Sequence, residues 1–346
     1  MSYTNGLDKP SDYFNTKLYT GNGSTQSITG VGFKPDWNWI KRRNTADSHR
    51  IQDSVRGSTK YLSSNSTDNE VDAGSVSSFD TNGFTLSNSD SKYNASGGTY
   101  ASWNWKAGTT SGISAGSQTI TPTAYSINTT AGFGIYKYTG NGTAGATISH
   151  GLGVKPDQVW IKKLSQADSW RCYNVGYNSG QQYFELDSVY GYGESAAVFN
   201  GTIPTSTTVT LGYQGHVNAS GEQHIMYVFA PKVGFSKMGR YYGNGSTDGA
   251  FVYCGFKPAF VIIKRGDSQN DWCLFDNKRA GFNESNYLFK PNTTATEDTG
   301  THIDLLSNGF KLRQTGTDKN ASGANYIYYA VGQSIVGSNN IPATAR

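Results

Sequence analysis

Cysteine is scarce in this 346-residue chain, and the three present, Cys172, Cys254 and Cys273, stand apart and recur in no pattern. An odd, unpatterned count is not a disulfide framework, and no Cys/His pair has zinc-like spacing; buried free thiols are the expectation. Charge is short too, with 16% of residues charged against about 25% in ordinary globular sequence. The net +4 is spread along the chain without a basic block, which argues against nucleic acid or an anionic membrane as partner. There is no run of about 18 apolar residues, so no membrane insertion is expected. Residues 1–15 lack the basic-then-apolar order of a signal peptide, so no Sec-type address is expected either. Also missing is any long stretch with a 3.6-residue apolar period and caps, which removes long helices from the reading.

What the chain has instead is glycine (42), tyrosine (23) and abundant Ser, Thr and Asn, with 13% aromatic residues. This is the profile of short strands joined by turns, and aromatics at regular positions argue against disorder. Their regularity comes from a repeat. Three copies open on Gly-Asn-Gly after a Tyr-rich strand, at Gly21, Gly140 and Gly243, and close on Asn-Ala-Ser-Gly, at Asn94, Asn218 and Asn320. The periods, 119 and 103 residues, exceed the roughly 20 to 50 of solenoid repeats and suit a small domain in tandem.

Within each copy a Lys-Pro turn delivers an apolar run: Trp37-Asn38-Trp39-Ile40-Lys41-Arg42, Gln158-Val159-Trp160-Ile161-Lys162-Lys163 and Phe260-Val261-Ile262-Ile263-Lys264-Arg265. Trp39, Trp160 and Ile262 share one face and Ile40, Ile161 and Ile263 the other, so this strand is covered on both sides. The closing strand follows the Asn-Ala-Ser-Gly turn, carrying Ala101, Trp103 and Trp105 on its apolar face in the first copy. Asn82-Gly83 and Asn308-Gly309 signal hairpins between the two. The expected fold is all-β, with three tandem antiparallel β-sandwich domains at residues 16–107, 129–231 and 236–332. An N-terminal arm (1–15), a Gly/Ser/Thr-rich linker (108–128) and a C-terminal tail (333–346) complete the division, and the second and third units, joined by little more than 231–236, form a rigid pair. With a core in each unit, truncating Trp39 or Trp103 is expected to disrupt the first unit alone.

Candidate chemistry is thin. Asn-x-Ser/Thr triplets at Asn22, Asn94, Asn141 and Asn218 resemble glycosylation acceptors, but each lies in a recurring turn where Asn and Gly serve backbone geometry. Asp53 and Asp276 match between copies while the second has Asn174, which favours a structural role at a strand end over the carboxylate pair of a glycosidase. The five histidines fall at unrelated places, so neither a Ser/His/Asp arrangement nor a metal site can be assembled, and no cofactor is expected. Lys41, Lys162 and Lys264 recur at one position, read as stems capping the core with the ammonium in water. The most divergent segment, 173–192, displays tyrosines among glycines, a pairing that supplies rigid contact area beside adaptable backbone. Tyr177, Tyr190 and Tyr192 are therefore the candidate binding residues, for stacking on sugar or packing against a neighbouring chain.

Taken together, Tyr-Thr-Gly-Asn-Gly, Gly-Phe-Lys-Pro-Asp with its Trp-Ile-Lys run, and Ser-Asn-Gly-Phe-Lys-Leu followed by Asn-Ala-Ser-Gly resemble the tandem repeats of tail-fibre-like virion surface proteins of marine bacteriophages. Residues 131–153 and 241–263 carry the resemblance most closely. It implies a virion surface protein, synthesised in the host bacterial cytoplasm, lectin-like or jelly-roll-like in fold and often a trimer. Its partners would be other virion proteins and a host-cell surface glycan or outer-membrane protein. Residues 1–17 are few for a separate anchoring domain and shaft, so a capsid-head fibre or decoration protein is the alternative, and a polysaccharide depolymerase the second. Without a carboxylate pair, a non-enzymatic role is expected.

Overall fold

A computed structural model of the chain describes residues 6–113, 118–280, 283 and 287–334. Of the expected arm, tail and linker, 1–5, 335–346 and 114–117 lie outside the described residues. The chain is largely antiparallel β-sheet with little helix: among the described residues there are two four-residue α-helices, Ala196–Phe199 and Gly215–Asn218, and one 3-10 turn, Pro10–Asp12. Each repeat contributes one large sheet with the same central order. The opening strand (Phe14–Thr20, Phe133–Thr139, Ser236–Tyr242) pairs with the closing strand (Thr99–Trp105, Gln223–Phe229, Asn325–Gly332). The closing strand pairs in turn with the two-sided strand (Trp37–Arg42, Gln158–Lys163, Pro258–Arg265). A smaller sheet follows in each repeat, built on Gln26–Thr29, Ala146–Ser149 and Phe251–Tyr253.

The recurring turns clasp each other, which explains why the two motifs travel together. The Asn94, Asn218 and Asn320 side chains accept from the backbone N–H of Asn22, Asn141 and Asn244 at 3.0, 2.8 and 3.0 Å. Their amides donate onward, Asn218 to Thr143 O and Gly212 O at 3.0 and 2.9 Å, and Asn320 to Ser246 O and Gln314 O at 2.8 Å each. All three asparagines are fully buried. Glycine opens the first turn because a Cβ on Gly21, Gly140 or Gly243 would lie 2.3–2.4 Å from the carbonyl of Ala95, Ala219 or Ala321.

Both faces of the two-sided strand are covered, but by different things. Ile40, Ile161 and Ile263 each join an apolar cluster within their own repeat, together with residues of that repeat's smaller sheet such as Ile28, Ile148 and Val252. Trp39, Trp160 and Ile262 instead meet in one cluster drawn from all three repeats, with Trp37, Trp103, Trp105, Phe133, Tyr227, Phe229, Phe260 and Tyr329. Trp37 is its hub, with ring centroids 4.5 Å from Trp105, 5.2 Å from Tyr227 and 5.9 Å from Trp160. All seven tryptophans are buried. Trp39 and Trp103 therefore do not serve the first repeat alone, because the second cover on their strands is the other repeats.

The same shared packing corrects the lysines. Lys41, Lys162 and Lys264 are fully buried, and their ammoniums reach the neighbouring repeat, not water. Lys41 donates to Thr294 O at 3.1 Å, Lys162 to Thr67 O at 3.0 Å and Lys264 to Val189 O at 2.8 Å. The direction is cyclic: first to third, second to first, third to second. A second set runs the same way, with Trp170 Nε1–H donating to Ser63 O (3.0 Å), Trp272 Nε1–H to Glu185 O (2.9 Å), and His49 Nε2, at the equivalent place, 3.2 Å from Lys290 O. Trp39 Nε1–H donates to His49 Nδ1 at 2.9 Å, so Nε2 carries the proton.

Asp53 and Asp276 close the strand ends as buried ion pairs with Arg56 and Arg279, each at 2.5 Å. They also accept across repeats, from Tyr227 Oη–H at 2.7 Å and Trp103 Nε1–H at 3.0 Å. The stretch expected to be linker differs from that reading: it supplies a strand, Ala124–Asn128, paired with Phe133–Thr139, and Ile120 is buried in the second repeat's cluster. Thr119 and Ile120 donate to Thr147 O, both at 3.0 Å. A five-residue edge strand, Ala-Tyr-Ser-Ile-Asn, preceded by Thr- and Pro-rich sequence, carries too weak an apolar alternation to be told from linker by composition. The three cysteines are free and buried, as expected.

Candidate functional site

In the first and third repeats, the residue three positions after the strand-end aspartate is an arginine, sealed into an ion pair. In the second repeat that frame holds Asn174 and Tyr177. Asn174 keeps the turn, accepting from Gly176 N–H at 2.8 Å, but has no charge to hold an arginine. Tyr177 packs partly buried against the shared core, edge-on to Phe184 at 5.6 Å. Burial pushes its hydroxyl pKa up to about 12. Gly266 of the third repeat makes room for that hydroxyl, since a Cβ there would sit 2.3 Å from it.

Tyr190 and Tyr192 stand on the following loop, 59% and 40% exposed. The loop is pinned to the third repeat. Tyr192 N–H donates to Gly266 O and Asn270 N–H to Val189 O, both at 2.8 Å, beside the Lys264 ammonium. One of the recurring lysines thus fixes the segment that displays these tyrosines. Tyr177 and Tyr192 meet, ring centroids 4.9 Å apart, whereas Tyr190 shares no ring contact with either among the described residues.

The structure extends this pair with two residues absent from the sequence-based choice. The Arg240 guanidinium lies over the Tyr177 ring at 5.3 Å and over the Tyr242 ring at 5.5 Å, and Tyr242 is 57% exposed. Tyr192, Tyr177, Arg240 and Tyr242 therefore form a continuous ledge across the second and third repeats. Tyr242 carried a readable signal: the equivalent positions in the other copies are Thr20 and Thr139. Beside the ledge, Gly191, Tyr192, Gly266, Asp267, Ser268 and Gln269 line an open groove of about 380 Å³. Asp267 is held below the usual carboxylate range, despite its partial burial, by its contact with Arg265 at 2.6 Å.

Chemically, the ledge offers aromatic faces, a guanidinium and a carboxylate already engaged by its neighbour. Such a surface binds by stacking and hydrogen bonding. Among the described residues no group of three or more His, Cys, Asp and Glu is placed to hold a metal ion.

No curated protein and no solved structure matches the chain. A family model does, and its match runs over residues 9–334, taking in all three repeats as one unit, in keeping with the core they share. The chain belongs to that family, Domain of unknown function (DUF7483).

Proposed function

We propose that this protein is a bacteriophage virion surface protein of the tail-fibre or receptor-binding type, which contacts host-surface glycan or an outer-membrane protein without cleaving it. In this reading each repeat is a lectin-like antiparallel β-sandwich, and the repeats act as one rigid body presenting ligand-contacting loops. The observation that carries it is the ledge of Tyr192, Tyr177, Arg240 and Tyr242, which exposes aromatic rings on backbone anchored by the neighbouring repeat. Rigid tyrosines lose little conformational freedom on binding, so they suit a surface that grips sugar rings weakly per site. Several copies on one particle would raise avidity by about 10² to 10⁴.

The test is binding of labelled protein to host cells. Because Tyr177 packs on the core, the informative variant is Tyr190→Ala/Tyr192→Ala/Tyr242→Ala, which removes exposed rings only. Reduced cell binding with an unchanged melting temperature supports the reading; unchanged binding rejects the ledge. Release of oligosaccharide from envelope polysaccharide by the parent protein rejects the non-enzymatic role.

A further inference from the structure

The residue before Trp37, Gln158 and Phe260 is an aspartate in two repeats, Asp36 and Asp157, and Ala259 in the third. The carbonyl at this position accepts an equivalent backbone hydrogen bond in all three. Asp36 and Asp157 N–H donate to Trp105 O and Phe229 O at 2.9 and 3.0 Å, while Ser54, Val175 and Asn277 N–H donate to Asp36 O, Asp157 O and Ala259 O at 2.8, 2.8 and 3.0 Å. The side chains part company. The Asp36 carboxylate is saturated by Ser54 Oγ–H (2.7 Å), Ala107 N–H (2.8 Å) and Ser126 Oγ–H (3.1 Å).

Around Asp157 each of those donors has been removed. Val175 replaces Ser54, and Pro231, which has no N–H, replaces Ala107. Among the described residues, the strand that brings Ser126 has no counterpart beside Ser236–Tyr242, which lies at the edge of its sheet. What remains is a half-buried carboxylate with no hydrogen-bond donor among the described residues, its pKa raised by burial against the lowering effect of Lys155. A desolvated acceptor without donors is costly to keep.

This carboxylate lines a cleft of about 490 Å³ between the second and third repeats, together with Lys232, Val233, Lys237, Met238, Tyr253 and Phe256. Tyr253 is 58% exposed, and Lys237 fixes it, donating to its carbonyl at 2.9 Å with the ammonium 4.9 Å from the ring centroid. By register Tyr253 matches Thr29, since Tyr253 pairs with Gly309 as Thr29 pairs with Gly83. The second repeat has Ser149 there. Among the described residues, the same cleft has therefore lost each donor that serves Asp36 and gained an exposed aromatic ring.

We propose that this cleft binds a neutral hexopyranose unit of a glycan, with neighbouring hydroxyls donating to the Asp157 carboxylate and the sugar's C–H face lying on Tyr253. A neutral sugar supplies both O–H donors and an apolar face. An alkylamine brings donors but no such face and is repelled by Lys232 and Lys237, while the carboxylate of a uronic acid brings no donor to Asp157. The inference deepens the glycan-contact reading and rests on it only for the origin of the sugar.

Saturation-transfer NMR on the full chain tests it, with the methyl glycosides of glucose, galactose, mannose and N-acetylglucosamine as probes and putrescine as a cation control. Transfer to at least one sugar and none to putrescine is expected, with affinity falling by about tenfold or more in Asp157→Asn and in Tyr253→Ser. Asp157→Asn should melt no lower than the parent, because it discharges an acid that has no partner; Tyr253→Ser, which copies Ser149, keeps the test intact should that variant fail to fold. Absence of transfer to all four sugars, transfer unaffected by both substitutions, or binding of putrescine overturns the proposal. The cell-binding assay on the tyrosine ledge is read separately, so ledge and cleft can fail independently.

Discussion

Truncating Trp103 should unfold the whole protein in one transition, not the first repeat alone. Its ring is buried among Trp39, Phe289 and Phe260, at centroid distances of 5.8, 5.9 and 6.3 Å, and two of these partners belong to the third repeat. Its Nε1–H donates to Asp276 Oδ2 at 3.0 Å, inside the Asp276–Arg279 ion pair. Removing a fully buried Trp costs about 3 to 5 kcal/mol through lost transfer energy and the cavity left behind. Losing a hydrogen bond to a charged acceptor adds roughly 1.5 to 3 kcal/mol. Against a typical net stability of about 5 to 15 kcal/mol, Trp103→Ala should be severely destabilised. The assay is urea unfolding followed by far-UV circular dichroism and, separately, by the fluorescence of the remaining tryptophans. Coincident midpoints, shifted together, with an m-value unchanged from the parent are expected. A biphasic curve in which about one third of the amplitude shifts while the rest matches the parent would refute the shared core.

Burial lowers Lys41, Lys162 and Lys264 from 10.5 to about 8, so the unfolded chain binds more protons than the native one between those values, and stability should rise from pH 7 to 9, approaching about 1.4 kcal/mol per pH unit per lysine. Above pH 9 the rise should flatten and then reverse, as buried thiols and tyrosines whose pKa values are raised in the fold, Cys172, Cys273, Tyr136 and Tyr138 among them, ionise more readily in the unfolded state; urea midpoints that stay flat or fall between pH 7.5 and 9 contradict this. Asn218→Ala should cost about 2 to 4 kcal/mol, because it strands Asn141 N–H and the Thr143 and Gly212 carbonyls, and a loss under about 0.5 kcal/mol in chemical unfolding would show that the clasp is dispensable. Light scattering at micromolar concentration is expected to report a trimer of the 37.4 kDa chain, and a monomer mass would remove self-association from the proposed function.

Much of the local structure was legible because it depends on neighbours in sequence. The two-residue alternation of Trp39 and Ile40 declared a strand buried on both faces, and Asn94, Asn218 and Asn320 announced their turns. What covers the second face was not legible, because periodicity records that a side chain is buried and not by whom. Lys41, Lys162 and Lys264 failed for a related reason: a long stem ending in an ammonium reads alike whether it reaches water or a neighbour's carbonyls. Of the candidate site, Tyr177 and Tyr192 were found by divergence within one copy, while Arg240 and Tyr242 join them only through the junction of two repeats.

The one-way sense of the lysine contacts carries a topological consequence. Stacked repeats in an open array leave two unmatched ends, which need capping units; three copies joined head to tail by the same contact return to the start and leave none. Adding a fourth copy would require breaking the circle, so insertions can be absorbed only in loops such as the one that displays Tyr190 and Tyr192. A circle also has no privileged starting point. Ser11 and Ser334 already lie together, their Oγ atoms 2.7 Å apart, so the polypeptide could begin at another junction and still close the same ring.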